Sequence, residues 1–261
     1  MIRQWLLGSA AGRLALRLRD GVGLLTAGRE EIGTVANDQL AGMLVTRLLG
    51  EGGTFVDVGA HIGSVIAAVR RQTPDATIIA VEAIPEKADR LRAKFPGVRV
   101  ECCALAEREG MANFFVDLDR SGYSSLARGS GRQREIQVPL RPLDALVDGP
   151  VDIIKIDVEG AELGVLRGAT ALLAACRPTI MFESGPDEVL GQSREVMWRF
   201  LHERDYAVFA PNRLAHEAPP LSLDGFLDSH HYPRRTTNYF AVPLENVEAI
   251  RTKARKTLKI G

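Results

Sequence analysis

The stretch Phe55-Val56-Asp57-Val58-Gly59-Ala60-His61-Ile62-Gly63 decides the fold. An apolar run over residues 54–58 carries one acid near its end and breaks into a Gly-x-x-x-Gly turn, after which residues 64–69 open an apolar helix. A short apolar run bounded by glycine reads as a buried strand, so the pattern is strand, tight turn, helix. In an open α/β sheet the ligand crevice lies beyond the carboxyl ends of the strands, which puts a ligand at this turn. A dinucleotide fingerprint needs glycine where His61 stands, so that backbone can approach a pyrophosphate; NAD and FAD are disfavoured. No Gly-x-x-x-x-Gly-Lys-Ser/Thr stretch is present to cradle a triphosphate. An acid beside a glycine turn suits a ligand carrying an ammonium or a sulfonium, and S-adenosylmethionine carries both. The same two glycines would also serve a close turn that binds nothing, and on this stretch that alternative stays open.

Outward from the turn the pattern repeats. Residues 38–49 read as a helix stopped by Gly50, residues 78–82 as a second strand, residues 85–94 as a helix and residues 98–104 as a third strand. This βαβαβ rhythm predicts a parallel sheet with right-handed crossovers and helices on both faces. Between Met111 and Leu140 it changes. Residues 113–116 and 134–140 read as short strands around a polar Gly- and Ser-rich loop, residues 117–132, expected at the rim of the site. A strand over residues 151–157, a helix over 161–174 closed by Pro178, a strand over 179–183 and a helix over 193–204 then follow. Residues 206–210 and 238–242 complete the sheet, and residues 211–237 between them read as a surface loop or lid. Residues 251–259 are basic and read as a solvated helix face.

Composition narrows the partners. The 261 residues hold 33 Lys plus Arg against 33 Asp plus Glu, a balance that offers no overall footprint for nucleic acid. The three cysteines, Cys102, Cys103 and Cys176, make neither a disulfide framework nor a zinc set, which suggests a reducing, cytoplasmic setting. The opening, residues 1–19, mixes Trp5, Leu6, Leu7, Leu14, Leu16 and Leu18 with four arginines. Its apolar run is too short and too early interrupted for a cleaved signal or a transmembrane segment. An amphipathic helix is expected there, packed on the domain or on a second copy of the chain, with weak peripheral membrane contact as the alternative.

Strands buried on both faces should be almost continuously apolar. Here four end in carboxylates: Asp57, Glu82, Asp157 with Glu159 close behind, and Glu183. Parallel strands end on one edge, so these acids converge on one rim. Unpaired buried carboxylates cost several kcal/mol each, and such a rim requires cations, hydrogen-bond donors or solvent. Glu82 has the placement for ribose hydroxyls. A divalent metal is the rival occupant, with Asp157, Glu159 and Glu183 as its ligands. His216, His230 and His231 fall in the late loop, each by itself read as a surface histidine.

The motifs Asp57 to Gly63, Val81-Glu82, Ser124-Ser125-Leu126, Leu143-Asp144 and, above all, Ile153-Ile154-Lys155-Ile156-Asp157-Val158-Glu159-Gly160-Ala161-Glu162 resemble the FkbM family of S-adenosylmethionine-dependent methyltransferases. The resemblance implies a class I methyltransferase-like (Rossmann-like) α/β fold: a mostly parallel seven-stranded sheet, its last strand antiparallel, with helices on both faces. The resemblance itself runs from about Thr54 to Glu183; by the order of elements, residues 1–50 read as an N-terminal helical extension, 51–245 as the cofactor-binding domain and 246–261 as a basic C-terminal tail. It further implies methylation of a hydroxyl on a sugar, glycolipid or polyketide-type product, so that the partner is a small-molecule or glycan acceptor. Asp57, Gly59 and Gly63 would line the methionine end of the cofactor, Glu82 its ribose, and Ala104 with Leu105 its adenine; Ala60, His61, Ala83, Ser125 and Asp157 complete the expected contacts. The sequence departs from the family at Ala83, where proline is common, and at His61, where asparagine is frequent.

Methyl transfer from a sulfonium is an in-line displacement, and a protonated alcohol is a poor nucleophile, so a general base within hydrogen-bond reach is expected. Asp157 and Glu159 are the first candidates and Glu183 the third, while Glu162 reads as an acid charging the first turn of its helix. A metal-assisted methyltransferase on the same acids, and a silent S-adenosylmethionine-binding protein, are the competing readings.

Overall fold

A computed structural model describes residues 32–119, 124–129, 131–185, 193–216, 218–231 and 235–260. The amphipathic segment expected over residues 1–19 lies outside them, as does part of the predicted rim loop. Seven strands form one sheet: β1 (Thr54–Val58), β2 (Thr77–Val81), β3 (Arg99–Glu101), β7 (Ile153–Ile156), β8 (Thr179–Glu183), β9 (Tyr206–Phe209) and β10 (Asn238–Pro243), in the order β3-β2-β1-β7-β8-β10-β9. The pairs β1 with β2 and β7, β2 with β3, and β7 with β8 are parallel. β10 runs antiparallel between β8 and β9, as the resemblance implied.

Helices cover both faces. On one lie α1 (Ile32–Arg47), α2 (Ser64–Gln72), α3 (Pro85–Lys94), α7 (Pro211–Leu214) and α9 (Val247–Leu258), whose Leu44, Ile66, Leu91, Leu214 and Ala254 pack with Phe55, Ile153 and Phe240. On the other lie α4 (Glu162–Arg167), α5 (Thr170–Cys176), α6 (Arg194–His202) and α8 (Leu223–Asp228), packed on Val56, Ile154 and Phe182. The strand residues alternate between the two clusters, which is the period-2 pattern of a sheet buried on both sides. A second sheet, β4 (Ala104–Leu105), β6 (Gln133–Arg141) and β5 (Gly110–Asp117), stands beside the edge of the first. Its core of Ala104, Phe114, Val116 and Val138 closes on Ile84.

Several local expectations change. The third strand stops at Glu101, and Ala104 and Leu105 pair in parallel with Leu140 and Arg141 of the second sheet; Cys102 and Cys103 carry the chain across. The helix expected over residues 161–174 is two helices, because Gly168 lies so close to Ala106 that a Cβ there would stand 2.2 Å from the Ala106 carbonyl oxygen. Asp144 then caps the second piece, accepting from Ala171 N and Leu172 N at 2.9 Å each. The hairpin strands β5 and β6 are longer than predicted, and Ser125 bridges back to Phe115. The segment 211–237 is no simple lid: it contains α7 and α8 and buries Leu214, Phe226, Ser229 and His230. The basic stretch near the C-terminus docks, since Arg255 Nε donates to Ala215 O at 3.1 Å and Arg251 stands over the Phe209 ring at 5.2 Å.

The predicted helix 38–49 begins earlier, at Ile32, and Asp38 explains its attachment. The Asp38 carboxylate accepts from Thr236 Oγ1 at 2.9 Å, Thr237 N at 3.0 Å and Thr237 Oγ1 at 2.9 Å, bolting α1 to the entry of β10. Among the described residues no helix is long and apolar enough to cross a membrane.

Candidate active site

The sheet register brings the acids together. Asp57 of β1 pairs across the ladder with Lys155 of β7, and both side chains are buried. Lys155 Nζ lies 3.3 Å from Asp57 Oδ1 and 3.2 Å from Asp157 Oδ2, and it donates to Gly59 O at 2.9 Å and Val58 O at 3.3 Å. One ammonium therefore ties the ends of two neighbouring strands to two carboxylates. Burial alone would lower its pKa, but the charges of Asp157 and Asp57 outweigh burial and hold it above the usual value. Neither Asp57 oxygen accepts a hydrogen bond among the described residues, and burial pushes this carboxyl upward against the pull of Lys155.

The turn after β1 is built by backbone contact. Gly59 has φ 76°, and a Cβ there would stand 1.9 Å from the Asp157 carbonyl oxygen. Gly63, at φ 75°, faces the Phe95 ring, where a Cβ would meet Cε2 at 2.3 Å. Gly59 N and Ala60 N both donate to Val81 O, at 3.0 and 3.1 Å, drawing the turn over the end of β2. Glu82 follows directly, and its two carboxylate oxygens accept from His61 N at 2.8 Å and Ile84 N at 3.0 Å. Burial raises this carboxyl despite nearby Lys87 and those two donors. His61 is held neutral, its pKa lowered to about 4, by burial first and then by the charges of Lys87 and Lys155.

The turn after β7 carries the remaining acids. Glu159 adopts φ 55°, a left-handed conformation that is uncommon for a residue with a side chain. The loop is fastened from below: Glu162, 4% exposed, accepts at Oε1 from Val158 N at 3.1 Å and Gly160 N at 3.2 Å. Glu162 therefore holds the turn in addition to charging its helix. Glu159 itself is half-buried, and burial followed by the charges of Asp157 and Glu162 raises its carboxyl to about 7. Asp157 and Glu183 share a hydrogen bond; Lys155 keeps Asp157 ionised, while burial and the Asp157 charge raise Glu183 so that it carries the shared proton. One oxygen from each of Asp157, Glu159 and Glu183 falls within 4.8 Å of the others.

These turns open on a single cleft. Of the residues read from the sequence, Gly59, His61, Glu82, Ala83, Ala104, Leu105, Asp157 and Glu159 line it. Asp57, Ala60, Gly63 and Ser125 do not: Asp57 is at 0% exposure under Lys155, Ala60 is buried, Gly63 packs on α3, and Ser125 Oγ bonds Ala127. Glu183 belongs to the carboxylate cluster but not to the cleft wall. His230, read as a surface histidine, is 5% exposed with both ring nitrogens bonded, to Phe226 O and Ser184 Oγ at 2.8 Å each. It is thereby withdrawn from the cleft. The sequence reading passed over Lys155, Lys87, Ile84 and Phe114, and assigned Ser124 no firm role, although all but Lys155 line the cleft. A lysine inside Ile153-Ile154-Lys155-Ile156 was the available signal, since a cation in a doubly buried strand demands carboxylates. All three cysteines are free thiols.

The wall fits a cofactor that carries a sulfonium, an ammonium and a ribose diol. Its acids Glu82, Asp157 and Glu159 supply acceptors, and its apolar residues Ala104, Leu105, Phe114 and Leu126 supply a dry surface for a ring. Comparison with curated proteins gives no match. A family model described as the methyltransferase FkbM domain matches residues 57–208. Among solved structures, an FkbM methyltransferase from Methylobacillus flagellatus KT is 19% identical over 74% of this chain, with a TM-score of 0.46; the aligned part spans only 44% of that protein. A precorrin-6y C5,15-methyltransferase from Geobacter metallireducens GS-15 is 16% identical over 65% of this chain and 72% of its own, with a TM-score of 0.38. A TehB-like SAM-dependent methyltransferase from Corynebacterium glutamicum ATCC 13032 Kitasato is 13% identical over 88% of this chain and 95% of its own, with a TM-score of 0.40. With the family match running over more than half of its 261 residues, this chain belongs to the FkbM methyltransferases, a family that uses S-adenosylmethionine as cofactor.

Proposed function

We propose that the chain methylates a hydroxyl of a small-molecule or glycan acceptor, a sugar, glycolipid or polyketide-type product, with Glu159 as the general base. The observation that carries this reading is the state of Glu159: at the cleft wall, on a left-handed turn, with a carboxyl raised to about 7 by burial and by its acidic neighbours. A carboxylate matched to neutral pH is the kind that takes a proton efficiently.

S-adenosylmethionine, when bound, supplies an electrophilic methyl group on a positive sulfur. Glu82 is assigned to the ribose hydroxyls, Ala104 and Leu105 to the adenine face, and Gly59, His61 and Asp157 to the methionine end. Glu159 accepts the hydroxyl proton as the acceptor oxygen becomes nucleophilic. Asp157, kept ionised by Lys155, would offer a negative charge to the cationic methionine end of the cofactor. Asp57 acts beneath the wall, by holding Lys155. The proximity of Asp157, Glu159 and Glu183 favours a metal as second reading, but the Lys155 ammonium already faces Asp157 at 3.2 Å.

Calorimetric titration with S-adenosylmethionine, and separately with NAD, with and without chelator, tests the assignment. The expected result is micromolar binding of the former alone, indifferent to chelator, followed by methyl transfer to at least one hydroxyl in a panel of sugars and natural products. Tight NAD binding, or cofactor affinity lost to chelator, refutes it. Binding without turnover of any acceptor supports the silent protein instead.

A further inference from the structure

Asp157 and Glu183 stand one step past Ile156 and Phe182, the last residues that pair across β7 and β8, and they share a hydrogen bond. That bond depends on where the backbone leaves β8. The next residue, Ser184, is buried and is held at two atoms. Its N–H donates to Thr237 O at 2.8 Å, and its hydroxyl lies 2.8 Å from His230 Nε2. Both partners belong to the segment 211–237, which reads in the sequence as a surface loop.

Each brace is itself fixed. Thr237 sits in the turn gathered by Asp38 of α1, and Asn238 beside it pairs with Glu183 across the β10 ladder. His230 Nδ1 lies 2.8 Å from Phe226 O. A carbonyl only accepts, so Nδ1 carries the ring proton, and in the neutral ring Nε2 accepts from the Ser184 hydroxyl. The ring is set edge-on to Phe226, with centroids 4.8 Å apart, and stacks on Tyr239 at 5.2 Å. Ser229 ties the same corner: its hydroxyl donates to Phe226 O at 2.6 Å and lies 2.8 Å from the Tyr239 hydroxyl. The Nε2 lone pair is therefore aimed in one direction.

A polar pair among Phe182, Phe226 and Tyr239 costs desolvation that an aliphatic side chain would avoid. What it adds is direction. A hydrogen bond fixes the Ser184 hydroxyl, and with it the backbone one residue from Glu183, where apolar packing would leave the strand end free to slide.

We propose that His230 is a positioning residue for methyl transfer: through Ser184 it fixes the end of β8 so that Glu183 meets Asp157, which is thereby aimed at the methionine end of the cofactor. The inference rests on the methyltransferase reading above, which gives Asp157 that role. His230 itself stands off the cleft wall, with both ring nitrogens engaged.

Two substitutions separate positioning from packing. His230→Asn keeps a donor for Phe226 O but falls short of Ser184, whereas His230→Gln reaches Ser184 with an acceptor and gives up the bond to Phe226 O. Each removes the ring and one buried hydrogen bond, so both lose stability; Ser184→Ala removes the hydroxyl alone. The probe is S-adenosylhomocysteine, titrated calorimetrically into the whole chain. His230→Asn and Ser184→Ala are each expected to weaken it roughly three- to tenfold, and His230→Gln to stay within about twofold of the wild type. In a chain that already carries Glu183→Ala, His230→Asn should weaken the ligand no further, because the route through Glu183 is gone. Equal losses in His230→Asn and His230→Gln, or wild-type affinity in Ser184→Ala, reduce the histidine to a packing residue and overturn the proposal. So does a His230→Asn loss that persists in full beside Glu183→Ala. A wild-type chain that binds no S-adenosylhomocysteine refutes the methyltransferase reading itself, and the role assigned to His230 falls with it.

Discussion

Glu159→Gln should slow methyl transfer and stabilise the fold at the same time. In the folded chain the carboxyl is raised from 4.5 to about 7, first by burial and then by Asp157 and Glu162. The folded state therefore holds a proton more firmly than the unfolded one, and between those two values it binds more protons. By linkage, stability falls as pH rises through that window and is level above it. The full difference corresponds to about 3 kcal/mol, which solvent at a half-buried side chain reduces to about 1–3 kcal/mol. Glutamine keeps the shape and cannot ionise. Urea unfolding should thus show the variant equal to the wild type near pH 4 and more stable by about 1–3 kcal/mol near pH 8, which in a chain of this size raises the melting temperature by roughly 2–10 °C. With any acceptor that is turned over, the rate should fall by roughly 10²–10⁴-fold, and the wild-type rise of kcat/KM with pH, centred near 7, should vanish. An equal stability gain at both pH values removes the proposed burial of charge. Retained turnover removes Glu159 as base.

Two further substitutions probe the scaffold. Lys155→Met leaves Asp57 buried without a cation, so denaturation at neutral pH should show a loss of about 3–5 kcal/mol, with Asp57→Asn in the same chain restoring part of it; a neutral outcome would show that the ammonium is dispensable. Gly59→Ala forces a Cβ to 1.9 Å from the Asp157 carbonyl oxygen at a φ of 76°, so the variant should lose more than about 2 kcal/mol and bind S-adenosylmethionine measurably less well by calorimetry. Wild-type stability there would mean that the two turns can separate freely.

The strand-turn-helix units were legible because each is a local pattern: an apolar run of four or five residues, a break at glycine or proline, then a helical period. The antiparallel β10, by contrast, followed from the family resemblance. The errors fall where distant contacts override local preference. Residues 161–174 look continuously helical, but the Ala106 carbonyl against Gly168 divides them. Residues 211–237 look like a polar loop, yet Phe226 and His230 fill the space over Phe182 and Tyr239, and Asp38, two hundred positions away, fixes the end of the segment. Cys102 and Cys103 look like strand, but the second sheet claims Ala104.

The sequence by itself determined that carboxylates stand at the ends of four strands, and a parallel sheet obliges such ends to share an edge. Only the tertiary structure decided what each carboxylate does there. The β1 to β7 register sets Asp57 against Lys155 and hides both, whereas two residues further on Asp157 reaches the cleft. Glu162 and Glu159 are two acids of one short motif; one clamps backbone amides and the other projects from a strained turn. Protonation follows from burial and from charges brought within a few ångströms by the fold, quantities that depend on distance and dielectric and have no counterpart in the order of residues along a chain.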